Sequence, residues 1–397
     1  MPSKLPRFGE FVALIAMLSS LTALSIDAML PALAIIGQDL GVQHPNDAQL
    51  IISTLFLGLA SGQVFFGPLS DATGRKPLMY VGLGIFMLGS LLAMLSQDFS
   101  HMLAGRFLQG LGASAPRVLT IALVRDCHGG AAMARIMSFT MSIFILVPMI
   151  APSLGQIILL LAGWRSIFSV FLTLAVIAAL WFWLRMPETL PTDKRRPLTL
   201  KKFTQALREI LTNRASMMYT LAAGAVFGAF LGYLSSAQQI LQLQYGLGER
   251  FPLYFALLAL AVGVSSILNA RLVMHYGMQW LALRAILAFT LLSGLFLLVT
   301  VSAQGHPPLL SLLAYLMLAF LSLGMLFGNL NALAMEPLGH IAGISASVIG
   351  SLSTLTAIPL GTLIGQRYDG TVLPLVSGFF ILGLLASGLI LAGRKTA

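Results

Sequence analysis

Twelve long apolar runs separated by short polar stretches constrain this chain more than any other feature of its sequence. Only 9% of the residues are charged and 58% are hydrophobic, whereas a soluble domain carries roughly 25% charged residues. A soluble fold of this size could not cover its surface with so few charges. Each run is long enough to cross a bilayer as a helix of about 20 residues. The sequence therefore predicts an all-α membrane protein with twelve transmembrane helices.

The predicted spans fall into two groups of six. They cover residues 11–36, 48–69, 77–97, 101–124, 133–160, 166–185, 216–242, 252–273, 281–302, 309–334, 344–365 and 372–392. We therefore predict an N-terminal six-helix bundle over residues 1–185, a linker over 186–215 and a C-terminal six-helix bundle over 216–397. The two bundles are expected to be pseudo-symmetric, because transporter halves are often internal repeats.

Basic residues concentrate in alternate loops and in the linker. Because loops rich in Lys and Arg stay in the cytoplasm, both termini and the linker are predicted to be cytoplasmic. This distribution assigns the net charge of +10 to membrane orientation and not to nucleic-acid binding. Residues 199–214 are compatible with a surface helix at the lipid headgroups and equally with a solvated connector.

Asp27 is the acidic residue that lies well inside a predicted span. An ionisable group in the bilayer is costly and is a functional candidate by default, so Asp27 is the predicted proton carrier. The fourth span supplies Arg106 and Arg117 as its predicted partners, on nearly one helix face. Two alternatives stay open: Asp27 is a structural residue paired permanently with an arginine, or Arg106 extends its head group to the outer interface.

A short charged stretch, GPLSDATGRKP, separates the second and third runs. Gly67 and Gly74 permit tight turns, while Asp71, Arg75 and Lys76 must remain at the water boundary. The stretch predicts a charged hinge between two spans. An ordinary polar turn is the alternative.

The fifth span contains Pro148, Pro152 and Gly155. Two prolines four residues apart leave two carbonyl groups without helical partners, so the helix can bend and pack closely against a neighbour. Taken alone, the pattern is also compatible with a generic kinked membrane helix.

Uncharged polar side chains mark the second half. Gln238, Gln242, Asn329 and Tyr233 are candidates for a substrate cavity, although such side chains also join helices to one another. Glycines at four-residue spacing predict close helix packing. They are Gly58 and Gly62; Gly224, Gly228 and Gly232; Gly324 and Gly328; and Gly361 and Gly365.

Several classes of site have no counterpart in the sequence. It contains no phosphate-binding Gly-Lys-Ser/Thr loop, no dinucleotide fingerprint and no Cys/His cluster. A single cysteine, Cys127, excludes an internal disulfide. We therefore expect neither an enzyme nor a cofactor nor a metal.

Several stretches together resemble the drug:proton antiporters of the major facilitator superfamily, especially the bicyclomycin and chloramphenicol resistance branch (Bcr/CflA). They are residues 27–31, 63–76, 106–113, 125–126, 163–168 and 187–189. The resemblance implies that Asp27 is the proton-responsive carboxylate and that Arg106 acts in coupling. It implies no role for Arg117.

The same resemblance implies a conformational latch on the cytoplasmic side, formed by Asp71 and Arg75 together with Asp126. The hinge residues Gly67, Gly74 and Lys76 complete the latch. Pro148, Pro152 and Gly155 correspond to a helix motif associated with antiporters.

We therefore expect a monomeric secondary transporter in a bacterial inner membrane. It would export amphipathic drug-like molecules in exchange for protons by alternating access. One alternative is proton-coupled transport of a metabolite such as an amino acid or a sugar derivative. Another is a membrane sensor or scaffold that transports nothing.

Overall fold

A computed structural model describes residues 6–195 and 200–394, and all regular secondary structure in these ranges is helical. A helix forms its backbone hydrogen bonds within one segment, which is what a chain crossing lipid requires. The first half of the chain forms α1 (Phe8–Asp27), α2 (Leu33–Asp39), α3 (Leu50–Thr73), α4 (Arg75–Met94), α5 (Phe99–Cys127), α6 (Gly130–Ala162) and α7 (Arg165–Arg185). The second half forms α8 (Leu200–Thr212), α9 (Arg214–Ala237), α10 (Phe251–Tyr276), α11 (Met278–Ser302), α12 (Leu309–Met335), α13 (Ala342–Gln366) and α14 (Leu373–Arg394).

Each of the twelve predicted spans lies on helix, which confirms the predicted all-helical membrane fold. Within the described ranges, ten helical segments are long and apolar enough to cross a membrane. One of these segments, Leu309–Gln366, contains both α12 and α13, and α6 contributes the shorter apolar helix Leu146–Ala162.

The first span is not the single helix that the run 11–36 suggested. Helix α1 ends at Asp27, and a 3₁₀ turn over Leu30–Ala32 leads into the short helix α2. Pro31 lies within that turn. Because proline lacks a backbone N–H and clashes with the preceding turn, it is compatible with an interruption of the α-helix here. The membrane segment is therefore broken immediately after its one deep carboxylate.

The described helices form two compact units. One takes in Met1–Gln43 and Thr54–Phe203, and the other takes in His44–Ser53 and Thr204–Ala397. In the first unit α4 packs chiefly against α5, and α1 packs against α6. In the second unit α9 packs against α13, α14 and α12, and α11 packs against α14.

Glycines set the closest helix contacts in the first unit. A Cβ atom added at Gly82 of α4 would collide with Ala115 of α5 and lie 3.1 Å from the carbonyl oxygen of Gly112. A Cβ at Gly105 of α5 would lie 2.6 Å from the backbone nitrogen of Ala93. The predicted pair member Gly58 makes the same kind of approach, with the backbone of α5.

Several of the glycines that were predicted to set close contacts do so in the second unit as well. A Cβ at Gly224 would lie 2.7 Å from Thr356, and a Cβ at Gly361 would lie 2.7 Å from Leu231, so α9 and α13 are in close contact. Gly324 likewise faces Ser265. The prediction of close packing is wrong for Gly328, because no atom lies within 4 Å of a Cβ built there.

The two interpretations of residues 199–214 were a surface helix at the lipid headgroups and a solvated connector, and α8 argues against the second. Residues 200–212 form a helix, and it buries Ala206 and Ile210. Glu209 of this helix pairs with His340 at 2.7 Å. This part of the linker is therefore not a solvated connector, whereas Thr199 lies outside the described residues.

Outside the spans, the start of α5 shows an acidic N-cap. The Asp98 carboxylate accepts a hydrogen bond of 2.9 Å from the backbone N–H of His101. This bond, together with contact to the His101 ring, holds the pKa of Asp98 below its ordinary value. A carboxylate in this position also complements the positive end of the helix dipole.

Two glycines of α4 provide a matched test of this packing. We expect Gly82→Ala to lower the apparent melting temperature of the purified protein, because the added methyl group would overpack the α4–α5 contact at a cost of about 1–3 kcal/mol. Gly84 is exposed, and no atom lies within 4 Å of its added Cβ. Gly84→Ala should therefore leave the melting temperature unchanged or raise it slightly. Equal melting temperatures for the two variants would contradict the packing described for Gly82.

Candidate functional site

Arg75 is the centre of a compact charge cluster in the first unit. Its guanidinium group binds Asp71 at 2.6 Å and Asp126 at 2.9 Å, and it donates to the Ser70 hydroxyl at 2.6 Å. The Arg75 side chain is only 3% exposed. The structure thus brings together Asp71, Arg75 and Asp126, three of the residues predicted to form the latch, from α3, α4 and α5.

Glu188 completes this cluster, although the sequence analysis assigned it no role of its own. Its carboxylate accepts the backbone N–H groups of Arg75 at 2.9 Å and Lys76 at 3.0 Å. These are the first donors of α4, which would otherwise lack partners within the helix. Lys76 in turn donates through Nζ to the carbonyl oxygen of Met186 at 2.7 Å. The end of α7 is therefore fixed to the start of α4.

The predicted hinge is shorter than the sequence suggested. Helix α3 continues through Gly67 and Pro68 to Thr73, so Gly74 is the one residue between the end of α3 and the start of α4. Gly74 has φ +111°, a conformation that glycine adopts without strain. A Cβ at this position would also lie 2.6 Å from the Glu188 carboxylate. Gly74 alone therefore makes the turn.

Asp27 occupies a different kind of site. It is the last residue of α1 and is 5% exposed. Within residues 6–195 and 200–394, no hydrogen bond or ion pair reaches its carboxylate. The predicted ion pair with Arg106 or Arg117 does not form in this structure, and the alternative of a permanently paired structural aspartate is therefore wrong.

Arg106 is fully buried and binds the main chain of α1 close to Asp27. It donates through Nη2 to the carbonyl oxygen of Ser25 at 2.9 Å and through Nη1 to the side-chain oxygen of Gln109 at 2.5 Å. Gln109 then donates to Ser90 at 2.8 Å. Because α1 ends at Asp27, its last carbonyl groups lack helical partners, and Arg106 supplies a donor to one of them. Its burial rules out the interfacial position considered from sequence.

Arg117 does not join this arrangement. It lies further along α5, is half-buried, and makes no hydrogen bond or ion pair with the described residues. The structure therefore separates the two arginines of α5. Arg106 contacts α1, whereas Arg117 keeps part of its surface open.

The proline-containing helix packs against the break in the first span. A Cβ added at Gly155 of α6 would collide with the carbonyl oxygen of Ala28, the residue after Asp27. Pro152 is buried and Pro148 is half-buried in the same helix. The motif thus lies beside the Asp27 site, a relation that the sequence alone did not reveal.

The four candidates for a substrate cavity all lie in the second unit and contact protein groups. Gln238 donates to Gln242 at 3.0 Å within a π-helical turn, Gln238–Gln244, that ends α9. Asn329 donates to Asn269 at 2.7 Å and so joins α12 to α10. Tyr233 is 2% exposed and packs its ring on Phe255 and Phe320.

No group of three or more His, Cys, Asp or Glu side chains within the described ranges is placed to hold a metal ion. Two residues of the Arg106 site were missed because the sequence gives little indication of their role. Gln109 was visible as a polar residue one helical turn after Arg106. The contribution of Ser25 is a backbone carbonyl, which side-chain patterns do not show.

Comparison with known proteins agrees with this geometry. The chain is 28% identical to the "Bicyclomycin resistance protein homolog" of Haemophilus influenzae, over 92% of this chain and 91% of that protein. It is 30% identical to the "Multidrug resistance protein MdtL" of Klebsiella pneumoniae, over 82% and 80% of the two chains.

A solved structure shows the same fold. The crystal structure of a D-xylose-proton symporter superposes with a TM-score of 0.77, covering 99% of this chain and 98% of that chain at 14% identity. The sequence model of the Major Facilitator Superfamily matches residues 15–361. This chain is a multi-pass membrane protein that belongs to the Major Facilitator Superfamily.

Proposed function

We propose that this protein exports amphipathic drug-like molecules across a bacterial inner membrane in exchange for protons. The observation that carries the proposal is Asp27, a buried carboxylate in a membrane-spanning segment that no described side chain neutralises. The relatives named for bicyclomycin resistance and multidrug resistance support drug export as the activity.

The Asp27 site has the properties that proton coupling requires. A buried carboxylate without a partner is stable only while it carries a proton, or when water or a cation reaches it. The two hydrogen bonds from Arg106 to Gln109 and to the Ser25 carbonyl end on neutral oxygen atoms, so they do not hold Asp27 in one charge state. Alternate exposure of the site to the two sides of the membrane would let Asp27 load and release a proton.

The transport cycle we propose uses two six-helix halves, residues 1–185 and 216–397, joined by the linker 186–215. The halves would expose the substrate site to either side in turn, with both termini in the cytoplasm. The cluster around Arg75 would act as the cytoplasmic latch, because its ion pairs join α3, α4 and α5 at the ends of three spans. We expect the protein to work as a monomer.

Metabolite transport is the less favoured function. The likeness to the xylose symporter is at 14% identity and shows the fold alone. The names of the relatives favour drug export.

Asp27→Asn tests the central role. We expect export driven by an imposed pH gradient in proteoliposomes to fall at least about tenfold, because the amide cannot exchange a proton at this position. Substrate exchange without a gradient should persist. Asp39→Asn is the matched control, since Asp39 lies on the same membrane segment, is half exposed and accepts a hydrogen bond from Trp164 that an amide oxygen can also accept. Full pH-driven export by the Asp27 variant would contradict the proposal.

Asp71→Asn tests the latch. Removing this charge should weaken the binding of Arg75 within the cluster, while Asp126 still pairs with it. We therefore expect the transport turnover rate to drop by about threefold to tenfold. Substrate affinity, measured at equilibrium, should not change. Asp193→Asn is the control, because that carboxylate is exposed in the linker. Loss of binding with normal turnover would show that Asp71 belongs to the substrate site instead.

A further inference from the structure

Phe327 lies on the side of α12 that faces away from the lipid. The exposed stripe of this helix runs through Leu310, Ala314 and Leu318 at four-residue spacing and continues to Gly328 and Ala332. Phe327 follows Leu318 by nine residues, which places it about 180° around the helix. It is nevertheless only half-buried. Its remaining exposed surface is therefore not explained by contact with lipid.

Helix α9 supplies two further aromatic rings that are partly accessible although they do not lie on a lipid-facing stripe. Within residues 216–237 no side chain is exposed, so α9 has no lipid-facing stripe, yet Phe227 and Phe230 keep part of their surface accessible. The Phe230 ring lies 5.7 Å from the Phe327 ring at 77°, and the Phe227 ring lies 6.2 Å from it at 83°. The Phe227 and Phe230 rings are stacked on each other at 21°, so the three rings form one cluster with an accessible side, in which Phe327 meets the other two edge-to-face.

Asn331 indicates that water reaches this side. It is exposed and follows Phe327 by one helical turn, so it lies on nearly the same face of α12. Its Nδ2 donates to the backbone carbonyl oxygen of Phe327 at 2.9 Å, which holds the amide group close to that residue. A polar amide in a membrane helix is found where it meets water or protein rather than hydrocarbon. The cluster therefore combines an aromatic surface with a polar acceptor, the side-chain oxygen of Asn331.

We propose that Phe227, Phe230, Phe327 and Asn331 form a binding surface for the aromatic ring of the transported molecule. This inference rests on the proposed export function and adds to it a substrate class and a location. Aromatic rings attract one another edge-to-face and offset at centroid distances of about 4.5–7 Å, the arrangement these side chains already have among themselves. A substrate ring extends the cluster, and the Asn331 oxygen accepts a hydrogen bond from a polar group beside the ring.

Two lipophilic cations of equal charge separate ring recognition from general hydrophobicity. Tetraphenylphosphonium carries aromatic rings, and tetrabutylphosphonium carries alkyl chains. We expect the full-length protein to bind the phenyl ion more tightly when both are titrated by calorimetry. Phe230→Leu and Phe327→Leu should each weaken phenyl-ion binding by roughly fivefold, the scale of one aromatic contact. Binding of the butyl ion should change less than about twofold, since leucine keeps the apolar surface.

Phe380→Leu is the matched control, because Phe380 is half-buried on α14, beside that helix's exposed apolar stripe. It should alter neither affinity. The proposed surface would be wrong if the Phe230 and Phe327 variants bound both ions more weakly by the same factor. It would also be wrong if the Phe380 variant lost affinity for the phenyl ion alone.

Transport and binding measurements on the wild-type protein distinguish a failure of this inference from a failure of the proposed export function. If it exports drugs with protons but binds both ions equally, the aromatic surface is wrong and the export function stands. If it moves no drug and transports a metabolite instead, the export function fails and the surface fails with it. Melting temperatures of all variants confirm that they are folded before titration.

Discussion

A guanidinium group stays charged in a protein, and inside a membrane helix bundle its charge must be met by oxygen atoms. Arg75 and Arg106 meet this requirement in two different ways. Arg75 is bound by two carboxylates and a hydroxyl group, so its cluster contains its own counter-charges. Arg106 donates to a backbone carbonyl and a side-chain amide, both neutral. The first arrangement neutralises Arg75 within its own cluster, and the second leaves the nearby carboxylate of Asp27 able to change its charge.

The interruption of the first span creates the second arrangement. Had the helix continued past Asp27, the carbonyl group of Ser25 would accept the backbone N–H four residues ahead, and Arg106 would have to share this acceptor. The break frees that carbonyl, and Gly155 brings α6 against Ala28 at the same point. Transporters commonly place ion and substrate sites where membrane helices are broken. The Asp27 site follows that physical logic, with α1, α5 and α6 meeting around one break.

The sequence predicted much of the fold, because long apolar runs have one stable form in lipid. It also singled out Asp27 and Arg106, because charges inside such runs are rare. The sequence did not predict correctly how Asp27 and Arg106 are arranged. The position of a residue around a helix does not show where a neighbouring helix ends, and α1 ends at Asp27. The sequence placed a hinge at Gly67, whereas α3 continues through Pro68, as membrane helices often do when their neighbours compensate. The role of Glu188 depends on contact with residues more than a hundred positions earlier, which no local pattern encodes.

The charged and aromatic features lie in different units of the chain. Asp27, Arg75 and Arg106 belong to the first unit, whereas Phe230, Phe327 and the Asn329–Asn269 pair belong to the second. If both proposals hold, the proton and the aromatic ring of the substrate bind to different residues and do not compete for one site. Their coupling then requires that each ligand favours one conformation of the whole chain, because a ligand shifts an equilibrium only by its difference in affinity between the states. On this basis a neutral and a cationic aromatic substrate can share one ring surface, while the proton gradient acts through Asp27 in both cases.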